Sequence, residues 1–181
     1  MLEKIIFLVA LIKIVVCEYE DLTPPPANFK ATILDQHNRY RQQLTAGNVP
    51  GQPKPSQMPD LIWDDNLAES ARKYAEKCQP RHDTYAERAT PPYQYVGQNL
   101  YAGPTVTDAA DLWFIEYKYY DYKTMTCQPG KICGHYTQMV WAESTHVGCV
   151  YKDCTSPTFP YGYIVICNYG PAGNFDGERP Y

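Results

Sequence analysis

Seven cysteines in 181 residues constrain this chain more than any other feature, because each must end as a disulfide, a metal ligand or a thiol. The N-terminus accounts for one. Met1-Leu2-Glu3-Lys4 is a short charged start, Ile5 to Val16 is apolar apart from Lys13, and Val15 and Cys17 are small enough for a signal-peptidase site. The run is shorter than the ~20 residues that span a bilayer, so residues 1–17 read as a secretory signal removed near Cys17. Six cysteines remain: Cys78, Cys127, Cys133, Cys149, Cys154 and Cys167. In an exported chain they read as three disulfides, with fifteen connectivities open. Cys127 and Cys133 bracket Gln-Pro-Gly-Lys-Ile, a turn-forming segment that makes a local pair easy. Spacing does not assign the other four. No Cys-x-x-Cys occurs to suit structural zinc, and with all six paired no thiol is left as a nucleophile.

At 44% hydrophobic and 20% charged, the chain has the composition of one globular domain. A net charge of −4 excludes a nucleic-acid backbone binder, which needs clustered positive charge. It also argues against a partner held by electrostatics at an anionic membrane. No other segment reads as a membrane span, so the expectation is a secreted, extracellular protein without stable membrane insertion. Residues 18–27 form a Pro-rich lead-in, and residues 28–181 a single domain.

Asn28 is placed to cap a first helix that carries Ile33, His37, Tyr40 and Leu44 on one face, with Gly47 ending it. Four prolines make residues 48–59 a loop. Asp64 or Asp65 begins a second helix with Leu67, Ala71, Tyr74 and Cys78 at helical spacing, stopped by Pro80. Residues 79–96 show no period. Thr107 caps a long third helix whose buried stripe is Ala110, Trp113, Phe114 and Tyr117. The last third changes character. Residues 146–151 and 161–169 are rich in β-branched and aromatic residues and read as an antiparallel hairpin, so the class is α+β, helices packed on an antiparallel sheet.

Four histidines are the first candidates for chemistry, but no two have the i, i+4 spacing of a helical metal site and no His-Glu-x-x-His occurs. A Gly-x-Ser-x-Gly elbow and a Gly-rich phosphate loop are absent as well.

Gly134-His135-Tyr136-Thr137-Gln138-Met139-Val140-Trp141 resembles the main signature of the CAP superfamily: cysteine-rich secretory proteins, antigen-5 and pathogenesis-related class 1 proteins. Ile164-Val165-Ile166-Cys167-Asn168-Tyr169-Gly170-Pro171-Ala172-Gly173-Asn174-Phe175 resembles the second. His37-Asn38 with Arg41, and Gly97-Gln98-Asn99-Leu100, are similar to two shorter motifs. Among animal members the likeness is greatest to the venom allergen-like proteins of parasitic worms, schistosomes included. The resemblance implies a three-layer α-β-α sandwich around a three-stranded antiparallel sheet. It implies the pairings Cys78–Cys154, Cys127–Cys133 and Cys149–Cys167, and a central cavity whose metal-holding tetrad falls on His82, Gln98, Glu116 and His135. Gln98 stands where the pattern has Glu; a neutral amide supplies neither charge nor base. No cofactor is therefore required, and a divalent cation, zinc or magnesium, is expected to bind weakly.

The resemblance also implies hydrophobic ligands. Sterols are expected at a flexible segment before the main signature, here Tyr117, Tyr119, Tyr120, Tyr122, Met125 and Ile132. Phe114, Tyr119 and Tyr122 fit the spacing of a caveolin-binding motif. Fatty acids are expected between the first and third helices, at Ile33, Tyr40, Leu44, Ala110, Trp113, Phe114 and Tyr117. The expected function is thus a non-enzymatic, monomeric or weakly dimeric carrier that sequesters sterols and fatty acids. The alternatives are a divalent-dependent hydrolase or protease using His82, His135 and Glu116, and a module that engages host immune receptors or plasminogen.

Overall fold

A four-stranded sheet divides the molecule into two apolar cores. The computed structural model describes residues 25–181; the signal segment 1–17 and most of the 18–27 lead-in lie outside the described residues. In chain order the elements are α1 (Phe29–Thr45), β1 (Ile62–Trp63), α2 (Asp65–Ala75), β2 (Gly97–Gly103), α3 (Asp108–Phe114), a 3-10 helix (Ile115–Tyr119), β3 (Tyr120–Asp121), β4 (Thr126–Cys127), α4 (Gly134–Met139), β5 (His146–Asp153) and β6 (Tyr163–Gly170). The main sheet runs β1-β5-β6-β2, and β3 pairs with β4 in a separate hairpin.

Alternation along β6 builds the layers, since successive side chains point to opposite faces. Tyr163, Val165, Cys167 and Tyr169 pack with Ile33 and Leu44 of α1, Trp113 and Phe114 of α3, and Tyr136 and Met139 of α4. Ile164 and Ile166 face the other way, onto Ala71, Tyr74 and Ala75 of α2. Helices therefore cover both faces. The expected three-stranded antiparallel sheet is corrected on one point. β1 adds a fourth strand, parallel to β5, so the sheet is mixed. Its two residues are too few to show a strand period in the sequence. Ile62 N–H donates to Thr145 O and Asp64 N–H to Val147 O.

Local chemistry sets the helix ends. Asn28 Oδ1 accepts from Ala31 N–H at 3.3 Å, and Asp64 Oδ1 accepts from Asn66 and Leu67 N–H at 2.7 and 3.2 Å. α2 stops at Ala75, so Cys78 lies past the helix rather than on its stripe. The long third helix is also corrected. Its α-helical part ends at Phe114, and Glu116 and Tyr117 fall in the tighter 3-10 turn. Thr107 makes no side-chain cap. On α1 the fourth buried residue is Arg41, not Tyr40. The second hairpin strand begins at Tyr163, leaving Tyr161 exposed. β2 had no counterpart in the sequence reading.

All three disulfides have the pairing that the resemblance implied: Cys78–Cys154, Cys127–Cys133 and Cys149–Cys167. Cys149 and Cys167 face each other across β5 and β6. Cys78–Cys154 spans 76 residues and restricts the unfolded chain by roughly 4 kcal/mol.

α2 lies directly on β5 at Gly148. A Cβ there would sit 2.2 Å from Ala68 N and 2.4 Å from Asp64 O, both backbone atoms that cannot step aside. Gly148→Ala should destabilise the fold by roughly 3 kcal/mol, read as a lowered denaturant midpoint; a midpoint equal to the wild type would refute this packing.

His37 is fully buried. The Ile33 carbonyl can only accept, so Nδ1–H donates to it at 2.7 Å, and Nε2 accepts from the Tyr169 hydroxyl at 2.7 Å. Both bonds require the neutral ring. Burial pulls its pKa down to about 4. The folded protein thus keeps His37 neutral while the unfolded chain takes up a proton near 6.5. Stability is complete above pH 6.5 and falls as the pH drops toward 4, by about 2 kcal/mol at pH 5. Urea unfolding at pH 7.5 and pH 5 measures this drop, and a flat profile would contradict it.

Candidate functional site

Two hydrogen-bonded pairs hold the residues expected to form the tetrad. His82, in the loop between α2 and β2, places Nδ1 2.8 Å from Gln98 Oε1. Gln98 is buried on β2, and its Nε2 donates to Asn168 Oδ1 on β6 at 3.0 Å. His135, on the first turn of α4, places Nδ1 2.7 Å from Glu116 Oε1. Glu116 Oε2 accepts from the His135 and Tyr136 backbone N–H groups at 3.0 and 3.1 Å. Those amides have no partner inside their own helix, so Glu116 acts as the cap of α4. The His135 ring stacks on Trp113 at 6.0 Å.

Asn99, next to Gln98 on β2, points the other way, donating to His135 O at 3.0 Å and to the Tyr169 hydroxyl at 3.1 Å. Backbone and core thus brace the two pairs, and no hydrogen bond joins His82 or Gln98 to Glu116 or His135. Chemically, Glu116 orients an imidazole, and the six cysteines among the described residues are all in disulfides. A cleft of about 690 Å³ opens beside His82 and Gln98, with Tyr85, Tyr95 and Phe175 at its edge. Tyr85 and Tyr95 were not singled out in the sequence and Phe175 entered only as the end of the second signature; nothing there relates the three positions.

The residues expected to bind sterol are spread over the 3-10 turn, the β3–β4 hairpin and the Cys127–Cys133 loop. Tyr117 turns inward onto Phe114 and Tyr136, at 5.5 and 6.3 Å. Tyr119 lies under the Lys131 ammonium at 4.8 Å. Tyr120 and Tyr122 wall a cleft of about 850 Å³ with Gln52, Pro53, Lys123 and Arg179. Tyr122 stacks on Tyr181 at 4.7 Å and donates its hydroxyl proton to the Tyr181 carbonyl. Met125 and Ile132 stand exposed on the hairpin and on the Cys127–Cys133 loop.

The fatty-acid residues are mostly core. Ile33, Leu44, Ala110, Trp113 and Phe114 are no more than 5% exposed. Tyr40 stacks on Phe114 at 4.0 Å and donates to Asp111 Oδ1 at 2.5 Å, so α1 and α3 meet through their own side chains. No helix among the described residues is long and apolar enough to cross a membrane.

Residues 34–169 match the family described as CAP, the cysteine-rich secretory protein family. The chain belongs to this family. Venom allergen 5 of Polistes fuscatus is 39% identical over 192 residues, covering 92% of this chain and 92% of the allergen. The structure of Schistosoma mansoni venom allergen-like protein 4 superposes with a TM-score of 0.75 at 30% identity, covering 83% of this chain and 92% of that one. The crystal structure of NaASP2 with Zn2+ superposes at 0.69 and 25% identity, covering 87% of this chain and 90% of that one.

No group of three or more His, Cys, Asp or Glu is placed to share an ion among the described residues. With Glu116 hydrogen-bonded to His135 and to the α4 amides, and Gln98 a neutral amide, the strong donors the tetrad offers a metal are the two imidazole Nε2 atoms. That is one short of the three protein ligands of a catalytic zinc. Gln98→Glu adds a carboxylate beside His82 and should tighten zinc binding about tenfold or more, read by competition with a chromophoric chelator. Equal affinity in the two proteins would remove position 98 from any ligand set.

Proposed function

We propose that this CAP domain is an exported binding protein for small apolar ligands, sterols foremost, and that it performs no covalent chemistry. The observation that carries the reading is the cleft of about 850 Å³ walled by Tyr120 and Tyr122. Both belong to the segment where the family resemblance implies sterol. The volume falls within the usual range of small-ligand sites, and a tyrosine wall supplies apolar area with a polar tip. The Cys127–Cys133 bridge and the β3–β4 pairing keep the segment from collapsing into the cleft.

Export is supported by the three disulfides, which persist in oxidising compartments, and by the likeness to a wasp venom protein. A divalent cation, zinc or magnesium, is not needed for this reading and is held weakly. For a fatty acid between α1 and α3 the geometry sets a condition: Tyr40 must leave Phe114 to admit it.

Replacing Tyr119, Tyr120 and Tyr122 together by Ser is expected to weaken equilibrium binding of radiolabelled cholesterol at least about tenfold, the loss of two or more aromatic contacts. Circular dichroism checks that the variant is folded. Undiminished binding would show the site to be misplaced, and no binding by the unmodified protein would end the lipid reading.

A further inference from the structure

The cleft of about 690 Å³ beside His82 has a hydrogen-bond polarity that can be followed from one atom to the next. The Leu67 carbonyl can only accept, so it takes Nδ2–H of Asn168 at 3.5 Å. Asn168 is left presenting Oδ1, which accepts from Gln98 Nε2–H at 3.0 Å. Gln98 therefore turns Oε1 toward the imidazole, and His82 answers with Nδ1–H at 2.8 Å. The neutral ring then carries its lone pair on Nε2. No described residue donates to that atom.

Around this acceptor the cleft wall carries no carboxylate. Its one permanently charged member, Arg88, donates from Nε to the Val96 carbonyl and from Nη1 to the Asp83 carbonyl and carboxylate, and its guanidinium lies 4.6 Å over one face of the Tyr85 ring. Three large rings border the opening: Tyr85, Tyr95 and Phe175 are 71%, 50% and 38% exposed. Tyr95 and Phe175 meet edge to face at 6.1 Å. Aromatic area gathered at a concave mouth and left in water marks a ligand-binding surface.

We propose that this cleft is a second ligand site, distinct from the Tyr120–Tyr122 cleft, for a flat apolar molecule with one hydroxyl group. The hydroxyl proton is donated to His82 Nε2, and the apolar body lies against Tyr85, Tyr95 and Phe175. A carboxylate or sulfate ester would set its own lone pairs against that of Nε2. An ether or ketone at the same position brings no proton and forgoes the hydrogen bond. The proposal shares its ligand class with the sterol reading above and rests on that reading for the choice of probe.

The test compares cholesterol with its 3-methyl ether, each radiolabelled, on the whole chain carrying Tyr120→Ser and Tyr122→Ser, so that the first cleft is disabled. The alcohol is expected to bind about five- to tenfold more tightly than the ether, the net worth of one hydrogen bond. Adding His82→Leu should erase that preference by weakening the alcohol alone, whereas adding Tyr85→Ser and Tyr95→Ser should weaken both ligands. His82, Tyr85 and Tyr95 are exposed, and thermal melting confirms that each variant folds. Equal binding of alcohol and ether, or a preference that survives His82→Leu, overturns the proposal and leaves sterol binding at the first cleft intact. Loss of all binding once Tyr120 and Tyr122 are replaced overturns it in the same way. No binding by the unmodified chain overturns both readings.

Discussion

Arg41 enters the protein interior with a full positive charge and no hydrogen-bonded carboxylate, and backbone carbonyls meet it instead. Its guanidinium donates to Pro59 O at 2.8 Å, Met139 O at 3.0 Å, Trp141 O at 2.9 Å and Ser144 O at 3.2 Å. Burial lowers its pKa to about 10, still protonated at neutral pH. A buried charge is tolerable only when its hydrogen-bonding capacity is met. The four carbonyls are therefore obliged to converge on α1, and with them the loop before β1, the end of α4 and the turn into β5. The last carbonyls of a helix lack internal partners, so the guanidinium satisfies groups that would otherwise be orphaned in the core. Everything near the candidate site hangs from this clasp: fixing the end of α4 fixes where its first turn, and so His135, can lie.

A second buried polar chain acts on the opposite end of the same region. His37 links the Ile33 carbonyl to the Tyr169 hydroxyl, and Asn99 ties that hydroxyl to the His135 carbonyl. α1, β6, β2 and α4 are thereby joined through uncharged bonds of defined direction. Each member is satisfied, and satisfied buried polar groups select one packing of the core over its near alternatives. The cost is sensitivity to protonation, because a charged His37 would face the Tyr169 hydroxyl with a donor where an acceptor is needed.

How legible this was in the amino-acid sequence varied with the range of the interaction. α1 and α2 could be placed from Asn28, Asp64 and the helical spacing of apolar residues, because caps and periodicity are local. β5 and β6 could be placed from their β-branched and aromatic runs. β1 could not, because two residues carry no period and their pairing with His146 and Val147 is set by distant backbone. β2 was recognisable only as a short motif, since its Gly-Gln-Asn-Leu-Tyr-Ala-Gly run mixes polar and small residues without alternation. The disulfide pairings came from family likeness; spacing alone left the three ways of pairing the other four cysteines as good as one another. The tetrad positions were likewise named by likeness. That Glu116 is spent on capping α4, and Gln98 on Asn168, is tertiary information with no local signal. The tyrosine-rich segment read as a single site because its residues are close in sequence; that Tyr117 and Tyr120 pack on Tyr136 while Tyr122 stacks on Tyr181 is tertiary information.

Position 98 shows why the two functions considered for this region exclude each other. With Gln98, Nε2 feeds Asn168 Oδ1 and Oε1 receives His82, so every atom of both amides has a matching partner. A carboxylate at this position would set two acceptors against Asn168 Oδ1 and oblige that amide to turn over. Turning it forfeits the donation to Leu67 O and sets Asn168 Oδ1 against that carbonyl, so the rearrangement has a cost. The carboxylate would add the third protein donor that zinc requires and would put negative charge into a cleft that otherwise has none on its wall. A site so altered gains a cation and becomes less hospitable to an apolar guest, because the charge must stay solvated. The amide does the reverse: it holds the imidazole in the same orientation, leaves Nε2 as a neutral acceptor, and keeps the cleft beside three exposed aromatic rings free of anions. Exchanging one oxygen for one nitrogen at residue 98 thus removes a negative charge from the wall of this cavity while keeping the hydrogen bond to His82.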